Sequence, residues 1–368
     1  MKKNLLGLSH EELVEFVREL GEKPFRASQL EKWIYKKLES DFSAMTDLGA
    51  GFRAALEEKA QIGNMEIVKE KSGRGGLTRK YLFSLPGGDY IESVLMRFFD
   101  SEEGDRLTLC LSTQVGCAMS CAFCASGMNG LSRNLSSAEM VEQAWQISRR
   151  LAGDERIGNI VFMGIGEPFA NYDETLAACR IFQDPARFGI GARHITISTC
   201  GIVPGIKRLA GENLQVRLAV SLHTANEKLR KELMPVSRSF PLDELFEACK
   251  YYQEKTGRRI TFEYILIREV NDNAADAREL GRALSGINAM VNLIPLNPVD
   301  EFKGKRSPLT RIKIFKQALD EFGIKSVIRK ERGLNIDAAC GQLRKTHKGP
   351  DEMGDAGTGL DETHQCNT

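Results

Sequence analysis

No run of the chain is apolar and long enough to span a bilayer, and the first residues lack the charged segment and apolar core of a secretory signal. A cytosolic protein with no membrane partner is expected. Net charge is also nearly absent: 51 lysines and arginines against 50 acidic residues leave a formal +1, so the overall balance neither requires nor excludes nucleic acid. Local patches have to carry that question. What the chain does have is 368 residues, 42% of them hydrophobic, which is material for one large domain and a smaller one. It also has nine cysteines, at 110, 117, 121, 124, 179, 200, 249, 340 and 366. In a reducing compartment that number argues against a static disulfide framework and for metal or thiol chemistry at some of them.

Residues 1–62 read as a helical accessory module. Ser9 and Glu12 have capping-box spacing, Leu13, Phe16, Val17 and Leu20 share one face, and Gly21 ends the helix. Pro24 opens a second helix with Leu30, Ile34 and Leu38 inward, and 51–61 form a third. Residues 63–103 change to short alternating runs parted by Ser72-Gly73-Arg74-Gly75-Gly76 and Pro86-Gly87-Gly88, the pattern of a small antiparallel β-meander. Its first half carries Lys69, Lys71, Arg74, Arg79 and Lys80, which a solvated face explains as well as a binding surface does.

Residues 104–344 alternate strand with helix. Apolar strands are legible at 107–111, 159–163, 194–198, 216–222, 260–266 and 290–295, and Ser136 with Glu139 caps a helix running through Met140, Val141, Ala144 and Ile147. This is an α/β pattern with a parallel sheet, and six strands suit an open or partial barrel better than a closed eight-fold one. The site belongs at the carboxyl ends of those strands. Residues 345–368 have no periodicity and read as a disordered tail.

The loops at that rim hold the polar residues. After the first strand comes Cys117-Ala118-Met119-Ser120-Cys121-Ala122-Phe123-Cys124, then Gly164-Ile165-Gly166-Glu167-Pro168 after the second, Ser198-Thr199-Cys200 after the third, Ser221-Leu222-His223 after the fourth and Leu296-Asn297-Pro298 after the sixth. Taken singly, the later loops are ordinary turn and cap signals. Three thiolates cannot fill a four-iron cluster or a tetrahedral zinc site, so either a fourth ligand comes from elsewhere or one position stays open. A structural zinc knot and three buried free thiols are the plain alternatives.

The C-x3-C-x2-C spacing at the rim of a partial (β/α)6 barrel resembles the radical S-adenosylmethionine superfamily. The likeness implies a [4Fe-4S] cluster on Cys117, Cys121 and Cys124, whose vacant iron chelates the methionine part of S-adenosylmethionine. It places Gly166, Glu167, Ser198, Ser221, Leu222, His223 and Asn297 around that nucleoside. The segments Leu109 to Cys117, Arg133-Asn134-Leu135 and Asn335 to Leu343 are similar to the dual-specificity adenine-C2 methyltransferases of 23S ribosomal RNA and tRNA, over nearly the whole chain to about Leu343.

That resemblance implies a two-stage reaction using two molecules of S-adenosylmethionine per turnover, because electron-poor C2 of adenine does not attack a sulfonium methyl. Cys340 is first methylated. A radical then removes hydrogen from its S-methyl group, and the carbon adds to C2. Cys110 resolves the adduct by forming a disulfide with Cys340, and either Cys110 or Glu92 takes the C2 proton. A flavodoxin- or ferredoxin-type electron donor and a thiol reductant are implied, and a monomer is expected. Small neighbours Ala338, Ala339 and Gly341 suit a mobile loop bringing Cys340 to the site; a buried core thiol is the plain reading of Cys340 and Cys110 alike. The other four cysteines read as structural or incidental. Lys303, Lys305, Arg306, Arg311, Lys313 and Lys316, with Arg329, Lys330 and Arg332, supply candidate phosphate contacts, and the N-terminal helices and meander a platform for RNA. Two rivals stand: the related C8-methylating, antibiotic-resistance branch, and a non-catalytic RNA-binding protein with structural zinc.

Overall fold

The computed structural model describes residues 2–99, 106–329, 333 and 336–343. The tail, Lys330, Arg332 and Cys366 lie outside the described residues. The chain begins with β1 (Lys3–Asn4), followed by α1 (His10–Glu19), whose capping box on Ser9 and Glu12 forms as the spacing predicts. Next come α2 (Phe25–Glu31), α3 (Ala50–Lys59) and β2 (Ala60–Gln61), which pairs in parallel with β1. The helix expected to run from Pro24 to Leu38 instead ends α2 at Glu31 and continues as a π-helical turn over Lys32–Lys36.

The meander is β3 (Glu66–Ser72), β4 (Thr78–Ser84) and β5 (Tyr90–Phe98), all antiparallel. It does not stand apart. β5 pairs antiparallel with β6 (Arg106–Cys110), so the meander extends the main sheet. The ribbon β7 (Gln114–Gly116) and β8 (Leu131–Asn134) then carries the cysteine loop. There follow α4 (Ser137–Ser148), β9 (Ile157–Phe162), α5 (Tyr172–Gln183), β10 (Ile195–Thr199), α6 (Val203–Gly211) and β11 (Arg217–Ser221). The rest is α7 (Glu227–Leu233), α8 (Leu242–Thr256), β12 (Ile260–Leu266), α9 (Ala274–Ala283), β13 (Ala289–Pro295), α10 (Leu309–Asp320) and β14 (Lys325–Ile328).

The sheet order is β14-β13-β12-β11-β10-β9-β6-β5-β4-β3, with β6 and β9 to β14 parallel. Each crossover adds the next strand to the same edge, which is the topology of a partial barrel. The six expected parallel strands are all present, and β14 is a seventh. Its four residues, alternately exposed and shielded at the sheet edge, give too short an apolar signal to read.

The helical module is locked to the barrel by buried polar contacts. Glu142 on α4 accepts the backbone N–H groups of Asn64 (2.9 Å) and Met65 (2.8 Å), and Trp145 Nε1 donates to the Ile34 carbonyl at 2.7 Å. Arg187, equally buried, donates to Glu31 at 2.9 Å and to the Leu8 carbonyl at 2.6 Å. Breaking that pair on one side leaves an uncompensated buried charge, at a cost of about 3–5 kcal/mol. Among the described residues no helix is long and apolar enough to cross a membrane.

Candidate active site

The β7–β8 ribbon pairs Gln114 with Asn134 and Val115 with Arg133, which draws the two ends of the cysteine loop together. Inside the loop Cys117 N–H donates to the Gly130 carbonyl and Cys124 N–H to that of Cys121, each at 3.1 Å. Ser120 at φ 48 turns the chain back between the first and second thiols. Cys117, Cys121 and Cys124 line one cavity of about 150 Å³. Burial pushes all three thiols up, Cys117 to about 12, so they become thiolates only against bound cations. Among the described residues no three cysteine, histidine or acidic groups converge on a single-ion position. An iron–sulfur cube takes one protein thiolate at each of three corners and leaves the fourth iron open. The donor set fits the cube.

The second loop must pass close to the first. A Cβ on Gly164 would stand 2.6 Å from the Leu111 carbonyl oxygen, and one on Gly166, which has φ 110, would stand 2.7 Å from Gln114 Cβ. Glycine is required at both. Glu167 follows, its N–H donating to Gln114 Oε1 at 2.8 Å and its carboxylate accepting the N–H groups of Cys200 (2.7 Å) and Phe169 (3.0 Å). Burial pushes this carboxyl up against those two bonds. Gly166, Glu167, Ser198, Ser221 and His223 all border the cavity of the three thiols. Leu222, between the last two, is buried and does not border that cavity; its N–H donates to the Glu263 carbonyl at 3.0 Å.

His223 has φ 62 and is buried. Its Nδ1 accepts the Ile265 N–H at 3.1 Å, which assigns the ring hydrogen to Nε2, and Phe123 stands edge-on with centroids 4.8 Å apart. Burial pushes the imidazole down to about 3, so it is neutral at any working pH.

Cys110 and Cys340 are 230 residues apart in sequence, and the fold places both on a second cavity, of about 430 Å³. Cys124, Met163, Gly164, Arg329 and Cys340 border both cavities, so the two adjoin at Cys340. Both thiols are free, and burial pushes Cys110 up to about 12. The Cys340 segment is docked by several hydrogen bonds: Ala125 N–H to the Gly341 carbonyl (2.7 Å), Asn297 Nδ2 to the Cys340 carbonyl (2.9 Å) and Gln342 Nε2 to the Pro298 carbonyl (3.0 Å). Asn297 borders the second cavity only, and its Oδ1 is buried without a partner. Glu92 borders neither cavity. It lies two residues from Val94, the strand partner of Cys110, and pairs at 2.8 Å with Lys80, whose Nζ also reaches the Asp337 carbonyl at 3.1 Å.

Cys200, read as structural or incidental, borders the first cavity and gives Glu167 its amide. Arg329, a candidate phosphate contact, borders both cavities, and the Cys340 charge pushes its guanidinium up. Buried Glu263 lies 3.9 Å from it. Within the basic run Arg311 is paired with buried Asp272 at 2.8 Å, so it is committed to the fold, while Lys303, Lys305 and Lys313 stay exposed. Asn271 and Arg230 carried no sequence signal, being single polar residues whose partners are main-chain atoms.

A partial β/α barrel with three thiols fit for an iron–sulfur cube beside a glycine-acid loop defines a radical S-adenosylmethionine enzyme. Residues 111–280 match the radical SAM superfamily, whose cofactors are a [4Fe-4S] cluster and S-adenosylmethionine, and residues 3–62 match the ribosomal RNA large subunit methyltransferase N-terminal domain. The chain is 49% identical to a probable dual-specificity RNA methyltransferase RlmN of Symbiobacterium thermophilum, covering 92% of this chain and 91% of that one. It is 47% identical to the protein of the same description from Moorella thermoacetica, over 93% and 97%. A crystal structure of a radical SAM methyltransferase from Sphaerobacter thermophilus superposes with a TM-score of 0.89 at 45% identity, covering 93% of this chain and 99% of that one. The chain belongs to the RlmN family of radical SAM methyltransferases.

Proposed function

We propose that this protein methylates C2 of adenosine in 23S ribosomal RNA and in tRNAs, in the cytoplasm, with Cys340 as methyl carrier and Cys110 as resolving thiol. The observation that carries the reading is the shared cavity of Cys110 and Cys340, which adjoins at Cys340 the cavity of Cys117, Cys121 and Cys124. When bound, the cluster and S-adenosylmethionine supply a carbon radical able to remove hydrogen from an S-methyl group.

The residues divide the remaining work. Gly166, Glu167, Ser198, Ser221, Leu222 and His223 orient the nucleoside substrate over the three cluster thiols. Cys340 holds the methyl group as a thioether at the junction of the cavities, and Arg329 supplies positive charge there. The larger cavity has room for an unstacked purine, and Phe99 is exposed at its border as a stacking surface. After the methylene carbon bonds to C2, Glu92 or Cys110 takes the C2 proton. Cys110 sulfur then attacks Cys340 sulfur and the Cys340 sulfur–carbon bond breaks; the departing methylene carbon takes up the proton released by the Cys110 thiol to become the methyl group, and the unpaired electron left by the radical addition passes to a one-electron carrier of the flavodoxin or ferredoxin type. The Cys110–Cys340 disulfide is reopened by a thiol reductant, and a flavodoxin- or ferredoxin-type protein delivers the electron. Asn297 positions Cys340 through its carbonyl. The helical module, the meander and the exposed lysines of 303–313 hold the RNA, with the protein acting as a monomer.

The test is anaerobic methylation of RNA carrying adenine deuterated at C2 or at C8, read by mass spectrometry. Loss of the C2 label with retention of the C8 label supports the assignment. The reverse result places the protein in the C8-methylating branch.

A further inference from the structure

Arg230 on α7 is completely buried. Its guanidinium faces main-chain oxygens: Nη2 donates to the Cys200 carbonyl at 2.8 Å and the Ser221 carbonyl at 3.4 Å, and Nε to the Leu222 carbonyl at 3.3 Å. Nη1 is buried with no hydrogen-bond partner. Among the described residues no carboxylate pairs with it; Glu227, one turn away, pairs with Lys231 at 3.0 Å. A guanidinium does not shed its proton under these conditions, and an interior cation with only dipoles for partners is strongly disfavoured. Such a residue implies an anion that joins it when the protein is loaded.

The neighbours say which anion. Among the sulfurs, those of Cys200 and Cys121 act most strongly on the Arg230 charge. The carboxyl end of α7 is fastened to the cysteine loop, with Ala122 N–H donating to the Leu233 carbonyl at 2.9 Å, and Leu229, Leu233 and Met234 packed in one cluster with Cys121, Phe123 and Cys124. Helix α7 is thus the floor of the loop that holds the cluster, and Arg230 is its buried charge.

We propose that Arg230 is the counter-cation of the iron–sulfur cluster, its unpartnered Nη1 compensating the charge carried by the Cys121 sulfur and by the cube. Three thiolates on a cube of charge +2 sum to −1, and one electron from a low-potential donor takes this to −2, with no bond made and no proton moved. A fixed buried cation favours the product of that step, so Arg230 raises the reduction potential. This inference rests on Cys117, Cys121 and Cys124 being the cluster ligands. The iron and sulfide content of wild-type and Cys121→Ala proteins tests that assignment separately.

The experiment is an EPR-monitored redox titration of the reconstituted enzyme without S-adenosylmethionine, comparing wild type with Arg230→Gln, Arg230→Met and Arg230→Lys. The neutral variants are expected to titrate at a more negative midpoint, with Arg230→Lys between them and wild type, at equal iron content. A neutral variant with a full cluster and an unchanged midpoint overturns the proposal and leaves Arg230 as a strut for three carbonyls. Where the neutral variants fail to fold, wild-type enzyme labelled with 15N-arginine decides: an arginine nitrogen coupling in the pulsed EPR of the reduced cluster is expected, and its absence overturns the assignment.

Discussion

Asn271 holds His223 in its left-handed conformation. Its Nδ2 donates to the carbonyls of His223 and Ile265, each at 2.7 Å, and its Oδ1 accepts the Ile267 N–H at 2.7 Å. A histidine at φ 62 is strained unless its surroundings over-determine it, and here the end of β12 does so. Asn271→Asp keeps the acceptor and places an oxygen against two carbonyls. The expected outcome is a KM for S-adenosylmethionine raised more than kcat is lowered, and a loss of about 3 kcal/mol in urea unfolding. Unchanged KM with the same stability loss would make Asn271 a support for the fold alone.

The neutral state of His223 has a consequence for acid stability. With its value pushed down to about 3 in the folded chain, against about 6.5 when unfolded, only the unfolded chain takes a proton between those limits. Stability from this residue is full above pH 6.5 and is lost as pH falls towards 3. From pH 6.5 to 5 wild type should lose about 2 kcal/mol relative to His223→Gln, measured by anaerobic urea unfolding at each pH. Equal slopes for the two proteins would refute the buried, neutral assignment.

Gly166 allows a test of the glycine-acid loop. Gly166→Ala adds a Cβ 2.7 Å from Thr113 Oγ1 at φ 110, so the loop must shift and move Glu167 off the Cys200 amide. Isothermal titration should show S-adenosylmethionine binding weakened by about tenfold or more, corresponding to roughly 1.4 kcal/mol. Binding at wild-type affinity would show that this loop does not contact the nucleoside.

The parts of the molecule visible in the sequence are those written in local patterns. The capping boxes at Ser9 and Ser136 and the strand over 260–266 depend on residues a few positions apart, and each forms as read. The cysteine loop is legible for the same reason. Less visible were the contacts made by single residues across the fold. The basic run at 303–316 has no acid in sequence, yet the fold brings Asp272 to Arg311. Arg329 looks like any surface arginine until β14 joins the sheet and brings it to the cavity that Cys110 and Cys340 line. Neither composition nor periodicity records which side chains meet at a strand end.

The thiol pair separates the two stages of the proposed reaction. Cys340→Ala removes the methyl carrier, and methylated RNA should fall below detection while the cluster stays loaded, because Cys340 is not among its three thiols. Cys110→Ala leaves the carrier but not the group that attacks its sulfur, so the methylene bridge between protein and RNA should persist. Denaturing gels should then show a protein–RNA species that appears with Cys110→Ala, is absent with Cys340→Ala, and survives thiol reductant because its link is a thioether. An adduct cleaved by reductant would point to a disulfide instead. Full methyl transfer by Cys340→Ala would remove that residue from the chemistry altogether.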